Sequence, residues 1–347
     1  MLRRLQSRWG PALQSDTAFI ESAFREILGR QADLDGLNHY KQVLREGLGR
    51  TAVLLNIMRS EEFTSKLRPQ ATHDSSLPSL RAMRPEAYVD TINRSNGRAM
   101  SVYVARTAAD FDWLERAIIE HGYYEKPGVW NLGIDSDKRV IAEIVASFQP
   151  RRAIELGCAA GAVLQCLDDL GVRAEGIEIS AMAREKAPPN VRERIHHGDL
   201  LTLDLTPDYD LLFGLDIFEH LNPNKLEAYL ARIAQTTTPD AKLFCNIPAF
   251  GHDAMFDTVF PLYVDGWDAE AAKGSVFSKL EVDSLGYPIH GHLTWADARW
   301  WTAQFEKAGF SRDLDLERQI HQKYDDYFEK RAPARKPFFV FGKSRSA

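Results

Sequence analysis

The sequence predicts an α/β protein with a doubly wound, seven-stranded sheet, preceded by a small all-α helical module. From residue 153 onward, apolar strand-like runs alternate with helical segments, which is typical of a parallel sheet with crossover helices. The stretch 152–161, R-A-I-E-L-G-C-A-A-G, has the order strand, glycine loop, helix start. Loop and helix N–H groups of such a unit are expected to face a ligand. Residues 16–63 instead show helical periodicity.

Length and composition indicate one large domain and one small one, because the chain has 347 residues of which 44% are apolar and 27% charged. We divide the chain into a helical interaction module (1–67), a linker (68–107) and a large α/β domain (108–347). The linker is assigned because residues 68–83 are polar and interrupted by proline. Within the large domain, about 250–292 is too long for an ordinary connection and predicts an insertion.

Charge and cysteine content exclude several classes of protein. The formal net charge of −6 argues against a nucleic-acid-binding protein. An apolar run long enough to span a membrane is absent, and so is a secretory signal, so we expect a cytoplasmic protein. The three cysteines are an odd number in apolar surroundings, which favours reduced thiols over a disulfide framework or a zinc site.

The helical module is predicted to contain three short amphipathic helices, the first two ended by Gly29 and Gly47. Residues 24–40 read F-R-E-I-L-G-R-Q-A-D-L-D-G-L-N-H-Y, and S-E-E-F follows at 60–63. Over 16–66 this pattern resembles a bacterial helical domain of unknown function that is similar to phycobilisome linker repeats. The resemblance implies a role in binding a protein partner rather than in chemistry.

Strands of the large domain are predicted from apolar runs bounded by turn residues. Five are expected in parallel, at 153–156, 173–179, 194–197, 209–215 and 242–247. A late apolar strand is predicted at 336–342, with 314–320 as its partner.

The glycine loop carries the motif E-x-G-x-x-x-G, formed by Glu155, Gly157 and Gly161. It resembles motif I of the class I S-adenosylmethionine (SAM) dependent methyltransferases, which have a Rossmann-like sheet. An NAD-dependent enzyme is the main alternative for this fold. The loop does not favour it, because Cys158 and Ala159 leave no second glycine where a pyrophosphate would approach the backbone.

The resemblance implies a set of cofactor-binding residues at successive strand ends. Glu178 would accept the ribose hydroxyls, Asp199 would contact the adenine amino group, and Leu200 would flank the ring. Glu155 and Gly157 would lie against the methionine part of SAM, whose carboxylate suits the loop N–H groups. The other expected cofactor contacts are Cys158, Ala159, Gly161, Ile179 and Leu215.

Residues 216–221, D-I-F-E-H-L, resemble motif IV of the branch of this family that reads E-H-[LV]. Asp216 would face the cofactor, whereas Glu219 and His220 would face the acceptor, with His220 as the base for a hydroxyl. His292 is a second candidate base or orienting group. A plainer alternative is that Glu219 and His220 cap the next helix. We assign no metal ligands and do not favour Mg²⁺, although His252, His290 and His292 could complete such a site.

The predicted insertion is rich in aromatic residues, which would form either a lid with an acceptor pocket or a second small core. Together these features predict a SAM-dependent methyltransferase that O-methylates a small-molecule acceptor, a sugar or glycan intermediate of polysaccharide biosynthesis. Two alternatives stay open. One is O-methylation of a small aromatic or quinone-like metabolite, and the other is a SAM-binding scaffold for a glycan enzyme.

Overall fold

The structure, a computed structural model, describes residues 15–25, 31–32, 34–45, 49–59, 77–126 and 131–344. It divides into two compact units, Met1–Ser75 and Ser76–Ala347. Residues 68–76 of the predicted linker and the predicted helix ends Gly29 and Gly47 lie outside the described residues.

The described part of the first unit contains three helices, α1 (Asp16–Ala23), α2 (Leu34–Arg45) and α3 (Arg50–Arg59). Ser15 begins α1, because its hydroxyl accepts a hydrogen bond from the Ala18 amide at 3.3 Å, as an N-cap does. The apolar faces form a small core made of Phe19, Ile20, Ala23, Phe24, Val53, Leu54 and Ile57. The prediction of a small helical N-terminal region is confirmed.

The second unit combines strands and helices throughout. Its elements are, in chain order, α4 (Leu80–Met83), β1 (Tyr88–Ile92), β2 (Ala99–Val104), α5 (Ala108–Glu120), α6 (Ser136–Ser147), β3 (Ala153–Leu156), α7 (Ala162–Asp169), β4 (Ala174–Glu178), α8 (Ala181–Glu185), α9 (Pro189–Arg192), β5 (Ile195–His197), β6 (Tyr209–Leu215), α10 (Leu226–Thr236), β7 (Thr237–Asn246), α11 (Trp267–Lys273), β8 (Lys279–Val282), α12 (Ala298–Lys307), β9 (Phe310–Arg312), α13 (Leu314–Arg331) and β10 (Phe338–Lys343). Short 3₁₀ turns occur between some of them.

Seven strands form one sheet in the order β5-β4-β3-β6-β7-β10-β9. The strands from β5 to β7 pair in parallel, and β10 pairs antiparallel with both β7 and β9. The order reverses at β3, where β4 lies on one side and β6 on the other. Ligands bind at such a reversal in open α/β sheets. The predicted doubly wound methyltransferase-type sheet is therefore confirmed.

Helices cover both faces of this sheet and bury separate apolar clusters. On one face, α6, α7 and α13 contribute residues such as Ile144, Leu164 and Phe328. On the other face, α10 and α12 contribute residues such as Ile233 and Trp301. Burying each of these large side chains stabilises the fold by roughly 2–3 kcal/mol. No helix in the described ranges has the length and apolar character needed to cross a membrane.

The prediction of a strand at 314–320 is wrong, because these residues begin the long helix α13. Asp313 sets that start, since its carboxylate accepts a hydrogen bond from the Leu316 amide at 3.1 Å. The antiparallel partner of β10 is β9, with Phe341 opposite Arg312. The apolar residues of 314–320 are compatible with both a strand and a helix, and the N-cap formed by Asp313 favours the helix.

The assignment of residues 77–107 as linker is also wrong. Within them, β1 and β2 pair antiparallel, and β2 pairs in turn with β8 of the insertion. Tyr88 and Tyr103 are buried in the resulting core, where the Tyr88 hydroxyl donates to the Gly286 carbonyl at 3.1 Å. The partners of this segment lie almost two hundred residues away, so local sequence cannot reveal the pairing.

Aromatic residues of the insertion mainly fill this second core. Trp267 stacks on Phe277 at 4.8 Å between ring centroids, and Phe250 stacks on Trp295 at 5.3 Å. Of the seven aromatic residues between 250 and 287, Phe260 alone lines the cavity described below. The core alternative therefore describes these residues better than the lid.

Candidate active site

A cavity of about 600 Å³ opens at the carboxyl ends of β3, β4 and β6. Nine of the ten predicted cofactor residues line it, namely Glu155, Gly157, Cys158, Ala159, Glu178, Ile179, Asp199, Leu200 and Leu215. Gly161 is not part of the lining. Among the predicted catalytic residues, Asp216, His220 and His292 line the cavity, whereas Glu219 lies fully buried behind it. The fold thus brings together residues that are spread over nearly 140 positions.

The glycines of the loop allow close packing rather than ligand contact alone. Gly157 has φ +71°, and a Cβ placed there would lie 2.6 Å from Cδ1 of Ile217. Gly161 has φ +68°, and its Cβ would collide with Cγ1 of Val191 in α9. The prediction of Gly161 as a cofactor contact is therefore corrected, because Gly161 lets the loop pack against α9.

Several N–H groups of the loop bond within the protein. The Gly157 and Cys158 amides both donate to the Ile177 carbonyl, at 2.9 and 3.1 Å. The Ala159 amide donates to Oε2 of Glu178 at 2.8 Å. The expectation that these N–H groups face a ligand is therefore wrong. The loop is held to the end of β4 instead, and its shape is set before any ligand binds.

Glu178 at the end of β4 holds the loop in place. Its other carboxylate oxygen accepts a hydrogen bond from the Ser180 amide at 2.7 Å. Burial raises the pKa of Glu178, while the bonds from Ser180 and Ala159 act in the opposite direction. Glu178 remains in the cavity lining, so it can both fix the loop and meet a ligand.

Glu155 at the end of β3 is a buried acid without a full set of partners. It is 4% exposed, and its Oε2 accepts no hydrogen bond from the described residues. Burial, together with the charge of Glu178, raises the pKa of Glu155 to about 8. Lys138, which also lines the cavity, opposes this shift. An unpartnered carboxylate at the cavity wall suits a cationic ligand, because buried charges are normally paired.

Asp199 is oriented by a residue that the sequence did not indicate. Its Oδ1 accepts a hydrogen bond from the Leu201 amide at 2.9 Å. Its Oδ2 accepts a hydrogen bond from the Tyr229 hydroxyl at 2.8 Å, and Tyr229 itself lines the cavity. Tyr229 lies on the buried face of α10, where helical periodicity alone marks it as a core residue.

Asp216 follows β6 in a left-handed conformation with φ +49°. Nη1 of Arg335 donates to its Oδ2 at 2.7 Å. Burial raises the pKa of Asp216, and the guanidinium of Arg335 partly offsets that effect. Arg335 lines the cavity from a turn just before β10, 119 residues along the chain. Sequence reasoning could not find it, because an arginine in a basic tail carries no motif.

Glu219, His220 and His292 lie close together at one end of the site. His220 and His292 pack edge to face, with ring centroids 4.8 Å apart, and Nε2 of His292 lies 3.7 Å from Oε1 of Glu219. Glu219 is fully buried, and neither carboxylate oxygen accepts a hydrogen bond from the described residues. Burial lowers the pKa of His220 to about 4 and that of His292 well below its usual value. Both imidazoles are therefore neutral at neutral pH.

Backbone contacts join the two segments that carry these residues. The Glu219 carbonyl accepts hydrogen bonds from the amides of Leu293 and Thr294, both at 2.8 Å. Glu219 and His220 belong to a 3₁₀ turn, and helix α10 starts only at Leu226 with Lys225 as its N-cap. The alternative in which Glu219 and His220 cap that helix is therefore not the structure adopted.

Tyr124 is a third residue that the sequence did not indicate. Its hydroxyl donates to the Gly291 carbonyl at 3.2 Å and lies 3.5 Å from Nδ1 of His220. Burial raises the pKa of Tyr124, so the hydroxyl keeps its proton. Of the other candidate histidines, His290 lines the cavity, whereas His252 is exposed and hydrogen bonds to Asp257 at 2.9 Å.

Solved structures that are similar to this chain include several methyltransferases. The 1,6-didemethyltoxoflavin-N1-methyltransferase of Burkholderia thailandensis is 13% identical, with 71% of this chain and 96% of that chain covered and a TM-score of 0.44. An amino pentose methyltransferase of Micromonospora echinaspora, involved in calicheamicin biosynthesis, is 18% identical, with 65% of this chain and 97% of that chain covered and a TM-score of 0.41. The CcbJ methyltransferase of Streptomyces caelestis is also 18% identical, with 65% of this chain and 95% of that chain covered and a TM-score of 0.40. No curated protein matches the chain.

Two family models match the sequence. A domain of unknown function (DUF4214) matches residues 5–67, which agrees with the prediction of a domain of unknown function over 16–66. A methyltransferase domain matches residues 136–313, which is just over half of the chain and includes every predicted site residue. The chain therefore belongs to the methyltransferase domain family and is a SAM-dependent methyltransferase.

Proposed function

We propose that this enzyme methylates a hydroxyl oxygen of a small-molecule acceptor, and that the acceptor is a sugar or glycan intermediate. The observation that carries the proposal is the pair of imidazoles, His220 and His292, whose ring centroids lie 4.8 Å apart in the cavity lining. A hydroxyl is a weak nucleophile until its proton is shared or removed, and a neutral imidazole can accept that proton.

The residues that would hold SAM fit its charge. SAM carries an ammonium and a sulfonium cation, and the cavity wall presents the unpartnered carboxylate oxygen of Glu155 beside Glu178. Asp199, oriented by Tyr229, offers a carboxylate to the adenine amino group, with Leu200 beside it. A cavity of about 600 Å³ lies within the range of cofactor sites. When bound, SAM supplies the methyl group and the leaving group.

This chain's own residues then have two tasks, which are to orient the acceptor and to take its proton. His220 is the candidate base, and Tyr124 lies close enough to Nδ1 to orient the ring. Oxygen–carbon bond formation is matched by cleavage of the carbon–sulfur bond, whose electron pair stays on sulfur. The hydroxyl proton moves to the imidazole and from there to solvent.

A small aromatic or quinone-like acceptor is the second candidate, and a different observation supports it. Part of the cavity wall is apolar, with Ile118 and Ile119 of α5, Phe260 and Leu293. Such a wall suits a flat ring that carries a hydroxyl group. Because most insertion aromatics are buried in the second core, stacking on sugar rings has less support than the sequence indicated.

Labelled SAM and two acceptor panels test the proposal. One panel contains sugar nucleotides and glycan fractions, and the other contains catechols and hydroxyquinones. We expect label in the first panel, and replacement of His220 by Asn should lower kcat by about 100-fold, typical of a lost base, without changing the SAM affinity measured by calorimetry. Label confined to the second panel would select the aromatic acceptor. Tight SAM binding with no transfer in either panel would favour the scaffold alternative.

The first unit is proposed as the part that binds a protein partner, so that methylation takes place near other glycan enzymes. Its support is the match of residues 5–67 to a domain that occurs without assigned chemistry. The described residues that line the cavity belong to the second unit.

A further inference from the structure

Glu219, His220 and His292 each offer one ligand atom, and these atoms lie within 4.8 Å of one another. Metal–ligand bonds of about 2.1 Å place neighbouring donor atoms roughly 3–4 Å apart, so small side-chain movements would bring all three onto one ion. Glu219 comes from the 3₁₀ turn after β6, and His292 comes from the end of the insertion.

The state of Glu219 is an independent sign of a ligand. Its carboxylate is completely buried and accepts no hydrogen bond from the described residues, although a buried acid is normally bonded or paired. Among the described residues, the ion-pair contact of Glu219 is with the imidazole of His292, whose Nε2 lies 3.7 Å from Oε1. A bound cation would complete this group.

The backbone already holds the donors together. Two hydrogen bonds of 2.8 Å run from Leu293 and Thr294 to the Glu219 carbonyl, and the Thr294 hydroxyl donates to the Leu221 carbonyl at 2.6 Å. The turn that carries Glu219 and His220 is therefore fastened to the segment that carries His292. This is a site built by the fold and not a chance approach of surface side chains.

We propose that Glu219, His220 and His292 bind one divalent transition-metal ion, with Mn²⁺, Fe²⁺, Co²⁺ or Zn²⁺ as the class. A donor set of one carboxylate and two imidazoles suits these ions, and three protein ligands leave further coordination positions open. Mg²⁺ prefers oxygen donors and several waters, so the donor set does not favour it. The sequence led us to assign no metal ligands, and it is the spatial arrangement of these three residues that changes the assignment.

This inference rests on the proposed hydroxyl methylation for its purpose and explains how the hydroxyl is activated. An open position next to the cavity would take the acceptor oxygen, whose proton becomes more acidic on an ion. The two imidazoles would then hold the ion, and the hydroxyl proton would pass to solvent water instead of to the ring of His220. Either route transfers the methyl group to the same oxygen.

Metal content of the untagged, full-length protein tests the proposal without any turnover. Bound metal is first removed with a chelator, and samples of the protein are then equilibrated separately with Mn²⁺, Co²⁺, Zn²⁺ or Mg²⁺. After gel filtration, the metal retained by each sample is measured by inductively coupled plasma mass spectrometry. We expect about one equivalent of a transition metal per chain and no retained Mg²⁺. Visible absorption of the Co²⁺ form should report nitrogen and oxygen donors.

Three variants test whether Glu219 and His292 are metal ligands. Glu219→Gln and His292→Gln should lose at least about 10-fold in metal affinity, as expected when a ligand is removed. His252→Gln is the matched control, because His252 also pairs with an acid but on the exposed surface, and it should keep the wild-type affinity. Unchanged SAM affinity in all three shows that they are folded. Equal metal content in wild type and in both ligand variants, or none in wild type, overturns the proposal.

The outcomes also separate this inference from the proposed function. Methyl transfer to a hydroxyl by metal-free enzyme, unaffected by added ions, removes the metal proposal and leaves the function intact. Stoichiometric metal binding without methyl transfer to any hydroxyl acceptor supports the metal site and contradicts the proposed function.

Discussion

At the scale of single residues, the cavity wall contains positions with an unusual backbone conformation or unusual burial. Gly157 and Glu155 are the clearest examples, because one is held by close contact and the other by unusual burial. Both were predicted as cofactor contacts from their place in the loop. Their physical roles differ, and so do the tests that apply to them.

Replacing Gly157 by Ala should weaken SAM binding by at least about 10-fold, since the φ of +71° disfavours a side chain and the new Cβ would push on Ile217 in the cavity wall. Gly171→Ala is the matched control. Gly171 has φ +75° but open space around its Cβ position, so it carries the backbone strain alone and should leave SAM affinity unchanged. Titration calorimetry measures both. Equal affinities for the two variants would remove the contact with Ile217 as an explanation.

Replacing Glu155 by Gln should stabilise the free protein at high pH. The folded pKa of about 8 exceeds the ordinary 4.5, so the folded state binds the extra proton between these values and stability falls as pH rises through this window. At pH 9 the variant lacks a buried charge, and we expect a gain on the order of 5 °C in Tm.

Near pH 4.5 the two proteins should differ little, because the acid is then protonated in the folded state of the wild type. Thermal unfolding in the absence of SAM, measured at pH 5 and pH 9, gives both differences. A Tm difference that is the same at both pH values would contradict the raised pKa of Glu155.

At the scale of elements, a largely buried ion cluster joins four parts of the chain around the antiparallel edge of the sheet. Arg312 of β9 donates to Asp253 at the start of the insertion and to Glu317 of α13, at 2.8 and 2.9 Å. Glu317 is fully buried and also accepts a hydrogen bond from the Val340 amide of β10 at 2.8 Å. The cluster therefore holds β9, β10, α13 and the insertion in register.

Replacing Arg312 by Met should destabilise the second unit by about 3–5 kcal/mol, because two buried carboxylates would lose their partner. Arg318→Met serves as control, since Arg318 pairs with Asp315 on the exposed side of α13 and should cost less than about 1 kcal/mol. Urea denaturation followed by tryptophan fluorescence reports both. Similar losses for the two variants would show that burial of the cluster does not matter.

At the scale of the whole molecule, the two units have separate cores and separate family matches. Every residue that lines the cavity lies between Glu115 and Arg335, within the second unit. We therefore expect the second unit to bind the cofactor by itself.

A chain that begins at Ser76 should bind SAM within about two-fold of the full-length affinity, because it retains every wall residue and both cores next to the sheet. Calorimetry on the two purified proteins measures this. A folded truncated protein, verified by circular dichroism, that no longer bound SAM would contradict the independence of the units.

The sheet and most of the cofactor residues could be predicted from the sequence, because both depend on patterns among neighbouring residues. Strand β3, the loop and β6 were predicted with the bounds they have in the structure, since apolar runs there end at glycines or acids. The helix α13 was misread because its first apolar residues suit either element. Tyr124, Tyr229 and Arg335 were missed because each reaches the cavity from a segment without a motif.

What the sequence by itself determined is the class of fold, the glycine loop and the acids at successive strand ends, because these depend on neighbours along the chain. Only the tertiary structure decided that residues 77–107 pair with the insertion and that its aromatic residues form a core. It also decided that Glu219 is buried beside His292, which is 73 positions away. The physical reason is the same in each case: burial and pairing across long separations depend on how distant surfaces fit, and that information is carried by no single stretch of residues.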